Sequence, residues 1–128
     1  MDDFIKSCVT KNTHPIILNG AEKTAKLDFN LKPKIKILKF IGNGGLERPH
    51  LINVKPWENN PNSTSIIMVD AYGFYSGEKY GYLAFFYQPI TRKWILKSFK
   101  KNSQPDPRSL PFQSLGKLLS RKSGDNHG

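Results

Sequence analysis

Cys8 is the only cysteine in 128 residues, which excludes an intramolecular disulfide and any zinc site built on cysteines of this chain. Acids are also scarce, with 10 Asp and Glu against 20 Lys and Arg. Those acids are mostly isolated in sequence, and His14, His50 and His127 are scattered, so no metal centre is expected. No apolar run approaches the roughly 20 residues of a membrane-spanning helix. The opening MDDFIKSCV carries two acids and no long apolar stretch, which implies no export signal and, with the lone cysteine, a reducing cytoplasm. Phosphate-loop, GxGxxG, HExxH and GxSxG patterns are missing, so the commonest motif-bearing enzymes are unsupported and no cofactor is expected.

What the chain has is positive charge, a formal +10, which attracts nucleic acid, anionic membranes or acidic proteins. Nucleic acid leads on base rates, and no basic amphipathic helix with bulky anchors argues for a membrane surface. The charge is concentrated between Lys79 and Gln104, where no acid occurs and Lys79, Arg92, Lys93, Lys97, Lys100 and Lys101 are basic. Tyr82 to Tyr87 and Lys93 to Phe99 have strand character, and Gln88-Pro89-Ile90-Thr91 breaks them, so the stretch reads as a hairpin. Simple alternation puts Lys93, Ile95, Lys97, Phe99 and Lys101 on one face and Trp94, Leu96, Ser98 and Lys100 on the other. Lysines at every fourth residue would stand about 13 Å apart, a row able to follow a phosphate backbone. A solvated face or a protected sheet edge is the alternative use of such lysines.

The length fits one domain, taken as residues 1–121 with a polar tail at 122–128. Residues 4–9 and 14–18 read as short strands, Asn19-Gly20 as a turn and Ala21 to Asp28 as a helix. Leu31 to Ile41 reads as a second helix opened by Pro33 and closed by Gly42 to Gly45, with Leu31, Ile35, Leu38 and Ile41 inward and Lys32, Lys36 and Lys39 outward. Leu46 to Ser65, with three prolines and four asparagines, reads as a loop around a short extended piece near Leu51 to Val54. Ser65 to Ala71 reads as a central strand and Tyr72 to Lys79 as a turn. Eight of the fifteen aromatic residues fall between Tyr72 and Tyr87, which marks a sheet core with rings left over for stacking on bases. Leu110, Phe112, Leu115, Leu118 and Leu119 make the apolar stripe of a short C-terminal helix. The fold class is α+β, a small domain with helices packed on a mainly antiparallel sheet.

The chemistry that such a chain can support is metal-independent RNA cleavage, in which a 2′-hydroxyl attacks its neighbouring phosphate. It requires a proton acceptor, cations for the charge building on phosphorus, and a donor for the leaving oxygen. Lys97, Lys100 and Lys101 are the candidates for the charge, and Tyr82 and His50 for the protons. Arg92, Lys93, Lys97, Lys36 and Lys39 are candidates for backbone contacts. For His50, the plainer reading is a loop histidine beside a proline.

The order LKPKIKILKFIGNGG, LERPHLINV and a strand-turn-strand ending in WILKSFKKNSQPDP resembles the RelE/HigB group of toxins from bacterial toxin–antitoxin pairs. The likeness runs from Leu31 to Leu119 and is greatest at Phe99-Lys100-Lys101-Asn102-Ser103-Gln104 with Pro107. It implies a RelE-like α+β ribonuclease fold, an mRNA interferase that cuts messenger RNA, often on the ribosome, and neutralisation by an antitoxin. It also implies that Lys100 or Lys101 takes the place of a family basic residue. Where the family has an arginine early in the middle strand, this chain has Tyr80-Gly81-Tyr82-Leu83-Ala84-Phe85-Phe86. A non-catalytic protein on a similar scaffold, binding nucleic acid or inhibiting an acidic protein, therefore stands beside the endoribonuclease as an alternative.

Overall fold

In the computed structural model, which describes residues 1–61 and 64–106, three helices cover one face of a five-stranded sheet. Helix α1, Asp2–Val9, is where a strand was expected. Asp2 and Asp3 lie in its first turn and Lys6 in its last, the arrangement that the helix dipole favours. Phe4, Ser7 and Cys8 recur at helical spacing and are its buried residues. A 3-10 turn at Lys11–Thr13 leads to β1, Ile16–Ile17, within the second expected strand. Asn19 and Gly20 do not turn the chain; they open helix α2, Asn19–Phe29. Its buried Ala21 and Ala25 are small enough to let it lie close on the sheet, and Thr24 Oγ1 donates to the Phe99 carbonyl at 2.7 Å. Helix α3, Lys34–Gly42, starts after Pro33 as expected. Its buried stripe is Ile37, Leu38 and Ile41, while Ile35 stays 40% exposed.

The remaining strands are β2 (Glu47–Pro56), β3 (Met68–Ser76), β4 (Lys79–Gln88) and β5 (Lys93–Lys101). They form an antiparallel meander, and β1 adds to β5 in parallel, giving the order β1-β5-β4-β3-β2. This is the expected α+β class. Two more readings change. The segment after Leu46 is a ten-residue edge strand, and Tyr72 to Ser76 continue β3, leaving the turn to residues 77–78, where Gly77 has φ +63°. The expected helix at Leu110–Leu119 and the tail lie outside the described residues.

Between helices and sheet, Phe4, Ile37, Ile41, Phe74, Leu83, Phe85, Leu96 and Phe99 are fully or almost fully buried. Phe4 stacks on Phe85 with centroids 4.1 Å apart. Each such ring removes apolar area from water worth about 1.5–3 kcal/mol. The other face holds a smaller cluster, Ile67, Val69, Ala71, Ala84, Phe86 and Ile95, to which no described helix contributes.

One irregularity resets the face assignment of the basic hairpin. Ala84 pairs with Ser98 but Phe85 pairs with Leu96, so Lys97 is the extra residue of a β-bulge. Beyond it the alternation reverses. Phe99 joins Leu96 in the core beneath the helices, and Lys100 comes opposite Tyr82 on the other face. The straight row Lys93, Lys97, Lys101 is therefore not formed, because burying Phe99 outweighs regular alternation.

Cys8 is a probe of this packing. Burial pushes its thiol from 9.0 up to about 12, against a smaller opposing effect of Ser7. Because the folded state holds the neutral form, the thiol's contribution is present below pH 9 and lost as pH rises from there toward 12. Folded protein at pH 8 is expected to resist iodoacetamide, with labelling restored in denaturant; fast labelling of native protein, followed by mass spectrometry, would contradict this packing.

Candidate functional site

The sheet face opposite the helices carries a polar row set by register. His50 pairs with Gly73, Gly73 with Tyr82, and Tyr82 with Lys100, so one line crosses β2, β3, β4 and β5. Neighbouring strands are about 4.8 Å apart, which spaces the row. Beside it Tyr75 pairs with Tyr80, two residues from Gly73 and Tyr82 and so on the same face.

His50 is placed by an unusual stretch of backbone. A bulge lies between Glu47 and His50, and within it Arg48 has φ +48°, a left-handed conformation costing a non-glycine residue about 1–3 kcal/mol. His50 Nδ1 is 3.1 Å from the Arg48 carbonyl oxygen. That oxygen only accepts, so Nδ1 carries a proton and, in the neutral ring, Nε2 is left as acceptor. Tyr80 Oη lies 2.8 Å from Nε2 and donates to it, with the two rings nearly parallel at 5.7 Å. Asp106 Oδ1 is 3.5 Å from the same Nε2, and Tyr75 donates to Asp106 Oδ2 at 2.6 Å. The side chains of His50 and Asp106 are only 11% and 8% exposed. Nε2 therefore faces the Asp106 carboxylate within a largely buried cluster.

Gly73 makes this possible. A Cβ there would meet Tyr80 Oη and come within 2.6 Å of His50 Nε2. Cations flank the cluster: the Arg48 guanidinium lies 3.9 Å from the Tyr75 ring centroid, and Lys100 Nζ lies 5.5 Å from that of Tyr82. Tyr82 is half-buried, and desolvation raises its hydroxyl above the ordinary tyrosine value, so at neutral pH it is a proton donor.

Compared with protein-family models, curated proteins and solved structures, the chain matches none. The site is thus read from its own geometry.

Of the residues singled out in the sequence, His50, Tyr82 and Lys100 share the row, and Lys97 stands at the adjoining bulge. Lys101 does not join them. It pairs with Gly81, whose missing Cβ points at Phe74 in the core, and its backbone N–H donates to Asp28 Oδ2 at 2.8 Å. Lys93 lies at the far end of β5, opposite Gln88, about 20 Å from Lys100 by strand rise. Arg92 occupies the hairpin turn with φ +55° and lines a recess with Asp3 and Lys6 of α1. Lys36 and Lys39 are exposed on α3, in the helical layer. A single RNA segment on the polar row would not touch these last four.

Arg48, Tyr75, Tyr80 and Asp106 were not singled out. Gly73 in the middle of an aromatic strand was a usable signal, since such a glycine marks close approach. Asp106 gave less, because between Pro105 and Pro107 it reads as a strand breaker. Among the described residues no group of three or more His, Cys, Asp or Glu is arranged to hold a metal ion, and no helix is long and apolar enough to cross a membrane.

Proposed function

We propose that the protein binds RNA on this sheet face and cleaves messenger RNA by attack of a 2′-hydroxyl on the adjacent phosphate. The observation that carries this reading is the register row in which a hydrogen-bonded His50–Tyr80 pair, meeting over the Cβ-less Gly73, adjoins the Tyr82–Lys100 pair. A phosphate resting between Tyr80 Oη and Tyr82 would meet a proton acceptor on one side and a donor with a cation on the other. The 2′-hydroxyl gives its proton to Tyr80 Oη as Tyr80 passes its own to His50 Nε2, where Asp106 balances the charge. The O2′–P bond forms and the P–O5′ bond breaks, Lys100 stabilises the charge on phosphorus, and Tyr82 protonates the 5′-oxygen. Solvent then returns a proton from His50 to Tyr82.

In this reading the protein is a toxin-like ribonuclease of the RelE/HigB kind, working in the cytoplasm with RNA on the ribosome as substrate and an antitoxin as inhibitor. A helical pair leading into a β-meander supports the scaffold, and the +10 charge supports the substrate. One observation favours the non-catalytic binder instead: both ring nitrogens of His50 already have internal partners.

Induced expression in a bacterial host separates the two readings. New messenger RNA ends and growth arrest are expected with the wild type and with Lys101→Ala, but not with Lys100→Ala. Normal growth and no new ends from folded, soluble wild-type protein would leave the binding protein standing.

A further inference from the structure

Next to the polar row lies a recess of about 120 Å³. Its floor is made of small or branched apolar side chains, Val69, Ala71 and Ala84, all buried. Tyr82 of the polar row forms one wall, so whatever fills the recess adjoins the proposed phosphate position. Asn53 forms another: it pairs with Ala71, two residues from Gly73 along β3 and so on the same face, is half-buried, and its amide has no hydrogen-bond partner among the described residues. Lys55 and Lys97 stand on the rim, with Glu58 as the one acid there.

We infer that this recess holds a single nucleobase of the RNA, the one next to the scissile phosphate, and that Asn53 reads its edge. The inference rests on the RNA-binding reading above. A small apolar floor with an aromatic wall suits a base face, whose stacking on an aromatic side chain is worth about fivefold or more in affinity. An asparagine amide offers one acceptor and two donors side by side, which matches the paired donor and acceptor of a base edge and so carries sequence information that lysines cannot. Lys55 and Lys97 are placed for the phosphates on either side. Small side chains at 71 and 84 are needed because each methylene added there would reduce a space already no larger than one ring.

Hexanucleotides of 2′-O-methyl RNA, UUXUUU with X varied over the four bases, test this because they bind without being cut. Fluorescence titration of the full chain is expected to show at least about fivefold spread in affinity with X. Asn53→Ala is expected to flatten the spread, and Asn53→Asp, which keeps the shape but replaces a donor by an acceptor, to reorder it. Lys97→Ala is expected to weaken all four oligonucleotides alike. Binding with no dependence on X, or a dependence that both Asn53 variants leave intact, would overturn the base pocket while leaving RNA binding in place. Failure of every oligonucleotide and of long RNA to bind would overturn both.

Discussion

Replacing His50 by alanine is expected to lower RNA cleavage by about 10²–10⁴-fold, the usual worth of a positioned acid–base group, while changing RNA affinity less than about threefold. The asymmetry follows from where the side chain sits. His50 is only 11% exposed and its ring nitrogens face Arg48, Tyr80 and Asp106, so it offers little to bound RNA directly. What it supplies is an acceptor for the Tyr80 proton, needed only as the 2′-hydroxyl is deprotonated. The loss should therefore fall on kcat and leave KM nearly unchanged. Removing His50 also takes a neighbour from the buried Asp106, which keeps the bond from Tyr75, so thermal unfolding must be followed in parallel. Steady-state cleavage with equilibrium binding checks the claim: equal losses in both would make His50 a binding or structural residue.

Gly73→Ala is expected to lose cleavage on a similar scale without removing any charged or titratable group. The added methyl would occupy the space where Tyr80 Oη and His50 Nε2 meet, separating the pair. Overpacking of this kind costs about 1–3 kcal/mol, toward the lower end if the half-buried ring of Tyr80 swings outward. Lys100, Lys97 and Arg48 are untouched, so RNA affinity and its salt dependence should stay near those of the wild type. Full activity in Gly73→Ala, with the substitution verified and the fold intact by circular dichroism, would mean that the His50–Tyr80 contact is not used. The two substitutions reach one hydrogen bond from opposite sides, so their effects should not add.

The parts of the fold that were legible in the sequence are those in which one local pattern dominates. The β4–β5 hairpin followed from two strand-like runs around Pro89, and α3 from Pro33, the spacing of Leu38 and Ile41, and the glycines after it. The α+β class followed from their order. Helix α1 was misread because FIKSCV is too short to show a period, and its Phe4 and Cys8 acquire meaning only against Phe85 and α3. Strand β2 was hidden by Pro49, Asn53 and Pro56. Its prolines sit on an edge strand and its register slips twice, features that an edge tolerates and that alternation cannot reveal. The same limit applied to the site. Lys100 and Lys101 are neighbours in sequence, and only the bulge at Lys97 sends one toward Tyr82 and the other toward α2. The His50–Tyr80 and Tyr75–Asp106 bonds span 30 and 31 residues, a separation at which no spacing rule operates.

The chemistry of the cut ends tests the central claim most directly. Attack by a 2′-hydroxyl leaves a 2′,3′-cyclic phosphate on one fragment and a 5′-hydroxyl on the other, whereas attack by an activated water leaves neither the cyclic phosphate nor, in most such reactions, the 5′-hydroxyl. RNA from a bacterial host expressing the wild type should contain new messenger ends captured by ligation selective for 5′-hydroxyls, and these should be missing with His50→Ala. New ends carrying 5′-phosphates, or no new ends from soluble folded protein, would contradict the account.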